Sequence, residues 1–82
     1  MTMPNVTPRI QVTCLHGERC QLYVEPWGTE FTVRRGEALF IESTALVTGD
    51  VEVSYAPGGI SIAITADVEV SITDRKGRRY DL

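Results

Sequence analysis

Gly59-Ile60-Ser61-Ile62-Ala63-Ile64-Thr65-Ala66-Asp67-Val68-Glu69-Val70-Ser71-Ile72-Thr73 alternates apolar and polar residues almost without interruption. Successive side chains of an extended chain point to opposite faces, so Ile60, Ile62 and Ile64 line one side of a strand, and Val68, Val70 and Ile72 line one side of the next. Ala66-Asp67 divides the two runs, and the stretch reads as the central hairpin of a β core. The same two-residue period recurs outward from it in Val51-Val53-Tyr55, Cys20-Leu22-Val24 and Ile10-Val12-Cys14. No eleven-residue window fits helical spacing better than alternation, so the sequence predicts essentially no helix.

Strands are expected over residues 9–15, 19–25, 30–35, 38–42, 44–48, 50–56, 59–65, 67–73 and 78–81, with 38–42 and 44–48 able to form one bent strand. Turn chemistry falls between them: Pro26-Trp27-Gly28, Arg35-Gly36, Gly49-Asp50, Pro57-Gly58-Gly59 and Asp74-Arg75-Lys76-Gly77. The last reads as a type I turn ending in a left-handed glycine. Residues 1–8 hold Pro4 and Pro8 and no periodicity, and read as a flexible lead-in to a single domain over 9–82. The expected fold class is all-β, an antiparallel β-sandwich or flattened barrel of the jelly-roll kind with seven to nine short strands.

The 82 residues are few for a single core. Apolar residues at 43% and charged residues at 23% exclude a disordered chain, and a net charge of −3 disfavours nucleic acid and anionic membrane. The N-terminus shows neither a basic nor an apolar signal region, and no run is long enough to span a bilayer, so a cytoplasmic protein is expected.

Cys14 and Cys20 are the two cysteines. A three-residue loop at His16-Gly17-Glu18 would place Cys14 opposite Cys20, Val12 opposite Leu22 and Ile10 opposite Val24, gathering six apolar residues on one face. A one-residue slip would mix core and surface. That register brings the sulfurs into cross-strand range, so a disulfide is geometrically possible, while a reducing cytosol favours two buried thiols. With His16 as the sole histidine, a four-ligand zinc site is not supported, and no metal or other cofactor is expected.

Ala38-Leu39-Phe40-Ile41 departs from alternation by being apolar on both faces. A strand buried on both sides accounts for it, and in so small a protein that points to a contact between copies.

No constellation for catalysis is present. A lone loop histidine lacks a positioned partner, the glutamates at 25, 30, 37, 42, 52 and 69 mostly take the outward phase of their strands, and no nucleophile elbow, phosphate loop or dinucleotide fingerprint occurs. The candidate binding residues are aromatic and basic. Tyr23 points away from the side of Leu22 and Val24, Trp27 sits in a turn, and Tyr55 completes the aromatics expected to reach a surface. Arg75, Lys76, Arg78 and Arg79 surround Gly77, and Arg34-Arg35 form a second basic pair suited to an acidic or phosphorylated partner.

Residues 22–41, Leu22-Tyr-Val-Glu-Pro-Trp-Gly-Thr-Glu-Phe-Thr-Val-Arg-Arg-Gly-Glu-Ala-Leu-Phe-Ile41, carry a resemblance over about a quarter of the chain. Glu25-Pro26-Trp27-Gly28, followed by an apolar-polar strand and the Gly36-Glu37 turn, resembles small bacterial all-β proteins of unknown function. It is also loosely similar to the strand-turn-strand of cupins. Cupin metal sites use several histidines and a carboxylate, whereas this chain has only His16, so the likeness implies the jelly roll without the metal chemistry.

The sequence thus points to a small non-enzymatic interaction module, self-associating, that recognises a protein partner. A sugar-binding or other small-molecule jelly roll without a metal is the alternative. Nucleic-acid binding through the arginine clusters is disfavoured by the acidic balance.

Overall fold

A computed structural model describes residues 7–82. Eight strands and one short helix run in the order β1 (Arg9–Thr13), β2 (Arg19–Glu25), β3 (Thr29–Arg34), β4 (Ala38–Glu42), α1 (Ala45–Thr48), β5 (Val51–Ala56), β6 (Gly59–Ile64), β7 (Ser71–Asp74) and β8 (Arg79–Tyr80). They form two four-stranded sheets, one ordered β1-β4-β7-β8 and the other β3-β2-β6-β5. The all-β sandwich read from the alternation is the fold of the chain. Most of the lead-in, residues 1–6, lies outside the described residues. At its end the Pro8 carbonyl accepts the Ser43 N–H at 3.1 Å, which ties the start of β1 to the end of β4.

The chain alternates between sheets. It makes β1 in the first sheet, the hairpin β2–β3 in the second, β4 in the first, the hairpin β5–β6 in the second and the hairpin β7–β8 in the first. Each hairpin is closed by a turn with a glycine at positive φ: Gly28 at 72°, Gly58 at 76° and Gly77 at 79°. Pro57-Gly58 joins Ala56 directly to its partner Gly59, with the proline and the positive-φ glycine that a type II turn demands. The Asp74–Gly77 turn is made as its sequence predicts, with the Gly77 N–H donating to the Asp74 carbonyl at 3.1 Å.

Two expected hairpins are instead crossings between sheets. Ile10, Val12 and Cys14 do not pair with Cys20, Leu22 and Val24; β1 pairs antiparallel with β4 and β2 pairs with β3. Likewise β6 and β7 lie in different sheets, and residues 65–70 cross from one to the other. In both cases the apolar members face the core, as the period demands, but across the sandwich and not side by side. A tight two-residue hairpin needs positive φ, and neither Ala66 nor Asp67 adopts it. Val68 and Val70 still pack on the core from the crossing segment, although strand β7 begins only at Ser71. Because β2 and β6 are brought together by two crossings, they pair in parallel, Leu22 opposite Ile60 and Val24 opposite Ile62.

The expected strand over 44–48 is the helix α1. The buried Ser43 hydroxyl accepts the Ala45 N–H at 3.2 Å, Ala45 and Leu46 favour helix, and Gly49 at φ 77° ends the turn. Cys14 and Cys20 are joined as a disulfide, Cα atoms 5.4 Å apart, correcting the expectation of two thiols. The bond staples the crossing from β1 to β2.

The core is one cluster. Leu22, Val24, Val33, Ile62 and Ile64 come from one sheet, and Leu39, Ile41 and Ile72 come from the other. The two-faced β4 resolves within the chain: Leu39 and Ile41 face the core opposite Val12 and Ile10, while Phe40 lies on the other face beneath Arg9, whose guanidinium carbon is 4.5 Å from the ring centroid. Its apolarity is covered by a cation–π contact and an arginine stem.

Two substitutions test this architecture. A Cβ at Gly59 would overlap the Gln21 carbonyl at the start of the parallel β2–β6 pair, so Gly59→Ala should cost about 3 kcal/mol or more; a chemical denaturation midpoint unchanged from the parent would refute that close approach. Removing the disulfide with Cys20→Ser frees a short loop and should cost about 2 kcal/mol on the loop-entropy model, read in the same way against the oxidised parent.

Candidate functional site

Two surfaces stand out among the described residues, beside the singly exposed Leu15 and Val47. The first is β5. Val51, Val53 and Tyr55 lie opposite Ile64, Ile62 and Ile60 on β6, and directly opposed residues of an antiparallel pair share a face. All three therefore project from the core face of their sheet. Ile62 is buried, yet Val53 is 59% exposed and Tyr55 99% exposed. Among the described residues, the first sheet does not reach over β5. The expectation that Val53 belongs to the core is corrected: its phase is right, but none of the described residues encloses it.

β5 is also a sheet edge, with β6 as its single neighbour. All six of its residues pair with β6 in unbroken register, without a bulge, and it carries one charge, Glu52. Proteins usually guard such an edge by charge, proline, shortness or cover. The other edges are guarded in these ways: β8 has two residues, β3 presents Glu30 and Arg34 and packs Phe31 on Tyr80, and β1 follows Pro8 and places Arg9 over Phe40. Among the described residues, β5 alone combines a free edge with an uncovered apolar face.

The second surface is a groove of about 520 Å3 between β3 and the β7–β8 hairpin, lined by Phe31, Val33, Leu39 and Tyr80, with Lys76 and Arg78 among its polar residues. The Phe31 and Tyr80 rings meet edge to face, centroids 5.9 Å apart, and join the edges of the two sheets. Asp74 organises this end. Its Oδ1 accepts the Lys76 and Arg78 N–H groups, both at 2.9 Å, and its Oδ2 accepts the Tyr80 hydroxyl at 3.0 Å with Arg78 Nε at 3.9 Å. Burial raises the Asp74 carboxyl, but the bonds from Arg78, Tyr80 and Lys76 and the Arg78 charge outweigh it and hold the group below its ordinary 3.8. Bonding to that carboxylate, with burial, pushes the Tyr80 phenol above its ordinary 10.0.

The residues singled out from sequence do not converge. Tyr23 takes the outer face of its sheet as its parity requires, but its hydroxyl is spent on the Pro57 carbonyl at 2.9 Å, pinning the β5–β6 turn to β2. Trp27, 43% exposed, lies beside a shallow depression formed with Ile64, Ala66 and Val68. That depression borders β5, since Ile64 is the partner of Val51. Arg75 and Arg78 line the groove, joined there by Gly36 and Glu37 from the turn that follows Arg34 and Arg35. Arg79 pairs with Thr73. Glu37 is spent on the backbone N–H of Arg34 at 2.9 Å. Among the described residues no group of three or more His, Cys, Asp and Glu gathers to hold a metal ion. Among the described residues no helix is long and apolar enough to cross a membrane.

Val53, Phe31 and Tyr80 are the surface and groove residues that sequence reasoning missed. Only the low charge of Val51–Ala56 hinted at the first.

The Asp74 network has a pH signature. A depressed carboxyl stabilises the fold in full above its unfolded value near 3.8 and loses that contribution as pH falls through the lower folded value. Asp74→Asn should therefore flatten the acid limb of stability and bring the Tyr80 pKa down toward 10, followed by the Tyr80 ring-carbon shift in NMR. An unmoved Tyr80 titration would mean that the phenol does not bond Asp74.

No protein-family model, curated protein or solved structure matches this chain.

Proposed function

We propose that this chain is a small non-enzymatic interaction module that docks a protein partner by strand addition to β5. The supporting observation is the coincidence on β5 of a free backbone edge with the uncovered Val53 and Tyr55 side chains. In strand addition, main-chain hydrogen bonds supply affinity and alternate side chains supply selectivity. β5 offers both, and Tyr55 is the aromatic anchor typical of binding hot spots. Trp27, at the depression beside Ile64, extends the same apolar region past the start of the strand.

The groove supports a second reading, a sugar or small-molecule site of the jelly-roll kind, because its volume falls in the range of ligand pockets. Its polar groups argue against giving that reading first place. Asp74 is occupied by its own turn and by Tyr80, Glu37 by Arg34, and Arg78 stands beside Asp74. A ligand site needs polar groups aimed at a common vacant point, and these are aimed at one another.

A photo-cross-linking side chain at Tyr55, compared with one at the exposed Glu69, separates the two readings in cells that make the protein. Adducts to protein from position 55 and not from position 69 are expected. Equal or no adducts from both positions would remove β5 as the docking edge.

A further inference from the structure

We infer that the partner added to β5 is a second copy of this chain, β5 pairing antiparallel with β5 about a two-fold axis that passes through Val53. The inference rests on the reading of β5 as a docking edge and adds to it the identity and register of the occupant.

An edge strand is complementary to itself, because an antiparallel partner offers a donor for each acceptor and an acceptor for each donor. A two-fold axis normal to the sheet keeps the core face of both copies on one side. Directly opposed residues must then share parity, so the axis passes through a residue and not between two. Charge and backbone chemistry choose which residue. Centring on Glu52 sets two carboxylates opposite each other at cross-strand contact, and β5 carries no lysine or arginine to offset them. Centring on Ser54 places Val51 opposite Pro57, which has no N–H to donate.

Centring on Val53 removes both faults. Val53 then faces Val53, Val51 faces Tyr55, and Glu52 faces Ser54, whose hydroxyl can donate to the carboxylate. Asp50 falls opposite Ala56, so every acid of the segment meets a neutral residue. On the core face the six side chains Val51, Val53 and Tyr55 from the two copies form one apolar strip, continuous with Ile60 behind it. The product is an eight-stranded sheet in which Val53 and Tyr55 of each copy are flanked by Val53 and Val51 of the other. Each copy carries a net charge of −3, so added salt should strengthen the contact by screening repulsion.

Sedimentation equilibrium of the full oxidised chain, from micromolar to millimolar loading and at low and high salt, should show reversible dimerisation that tightens with salt. A single added cysteine then reads the register under mild air oxidation, with the native Cys14–Cys20 bond intact. Val53→Cys should give disulfide-linked dimer at least about tenfold faster than Glu52→Cys, Ser54→Cys or the surface control Glu69→Cys, because only position 53 meets itself. Fastest linkage from Ser54→Cys would overturn the register. A chain that stays monomeric at millimolar loading would overturn the second-copy inference, and that measurement needs no variant to fold. If that monomer still gives cross-links from position 55 to another protein, strand addition at β5 stands and only the identity of its occupant falls; without such adducts both fall.

Discussion

Leu22, Val24 and Ile62 from one sheet and Ile41 and Ile72 from the other are buried in one cluster, and the rest of the molecule depends on that contact. Each such side chain contributes roughly 1.5–3 kcal/mol when taken out of water, while ordering each residue of the chain costs a comparable amount. A chain of 82 residues has little margin between the two. The core therefore has to be continuous. The chain achieves this by passing to the opposite sheet at four of its seven strand-to-strand connections, so that each crossing brings a new apolar run into the same cluster. The disulfide at the first crossing and the buried Ser43 at the third hold the corners where backbone would otherwise be loosest.

That economy sets where the core ends. β2 and β6 occupy the middle of their sheet and β4 and β7 the middle of the other, and these four strands supply most of the fully buried side chains. The edges are served unequally. Phe31 and Tyr80 close one side of the sandwich, with Asp74 fixing the hairpin that carries Tyr80. The other side of the second sheet has no equivalent closure. The opposing sheet spends its last strand, the two-residue β8, at the Phe31 side, and β5 is left without cover. The exposed Val53 and Tyr55 are thus a consequence of how eight short strands were distributed.

The sequence made sidedness legible and left partnership illegible, and the reason is physical. Alternation in Ile60–Ile64 and Ile10–Cys14 states which side chains point inward, and they do. It does not state whether the facing run lies beside a strand or across the core from it, because both arrangements bury the same atoms. The three true hairpins were marked by glycine at positive φ, and the misplaced one at Ala66-Asp67 lacked it, but Gly17 at 78° shows that such a glycine also turns a chain that is crossing between sheets. Phe40 looked like an intersubunit residue because no window of sequence brings Arg9 over it; that contact exists only through the β1–β4 register. For the candidate site, Tyr55 was legible as a surface aromatic. Val53 was not, since burial of a correctly phased residue depends on the extent of the opposite sheet. Tyr23 had the right face but a hydroxyl committed to Pro57, a partner 34 positions away.

The contrast between Phe40 and Tyr55 carries the functional argument. Both are aromatic residues on strands, and both emerge where the chain's own sheets do not enclose them. For Phe40 the fold provides an arginine from the neighbouring strand, which covers the ring while leaving its charge in water. For Tyr55 it provides nothing, although Ile60 stands directly opposite and could have been followed by any long polar side chain on a further strand. Exposed apolar surface at an unguarded edge invites pairing with whatever chain presents one. Leu15 and Val47 are exposed as well, but neither lies on a strand; among the described residues β5 is where exposed apolar side chains and an unguarded backbone edge coincide. The proposed docking role draws on both features of β5, its exposed apolar side chains and the free ladder groups along its outer side.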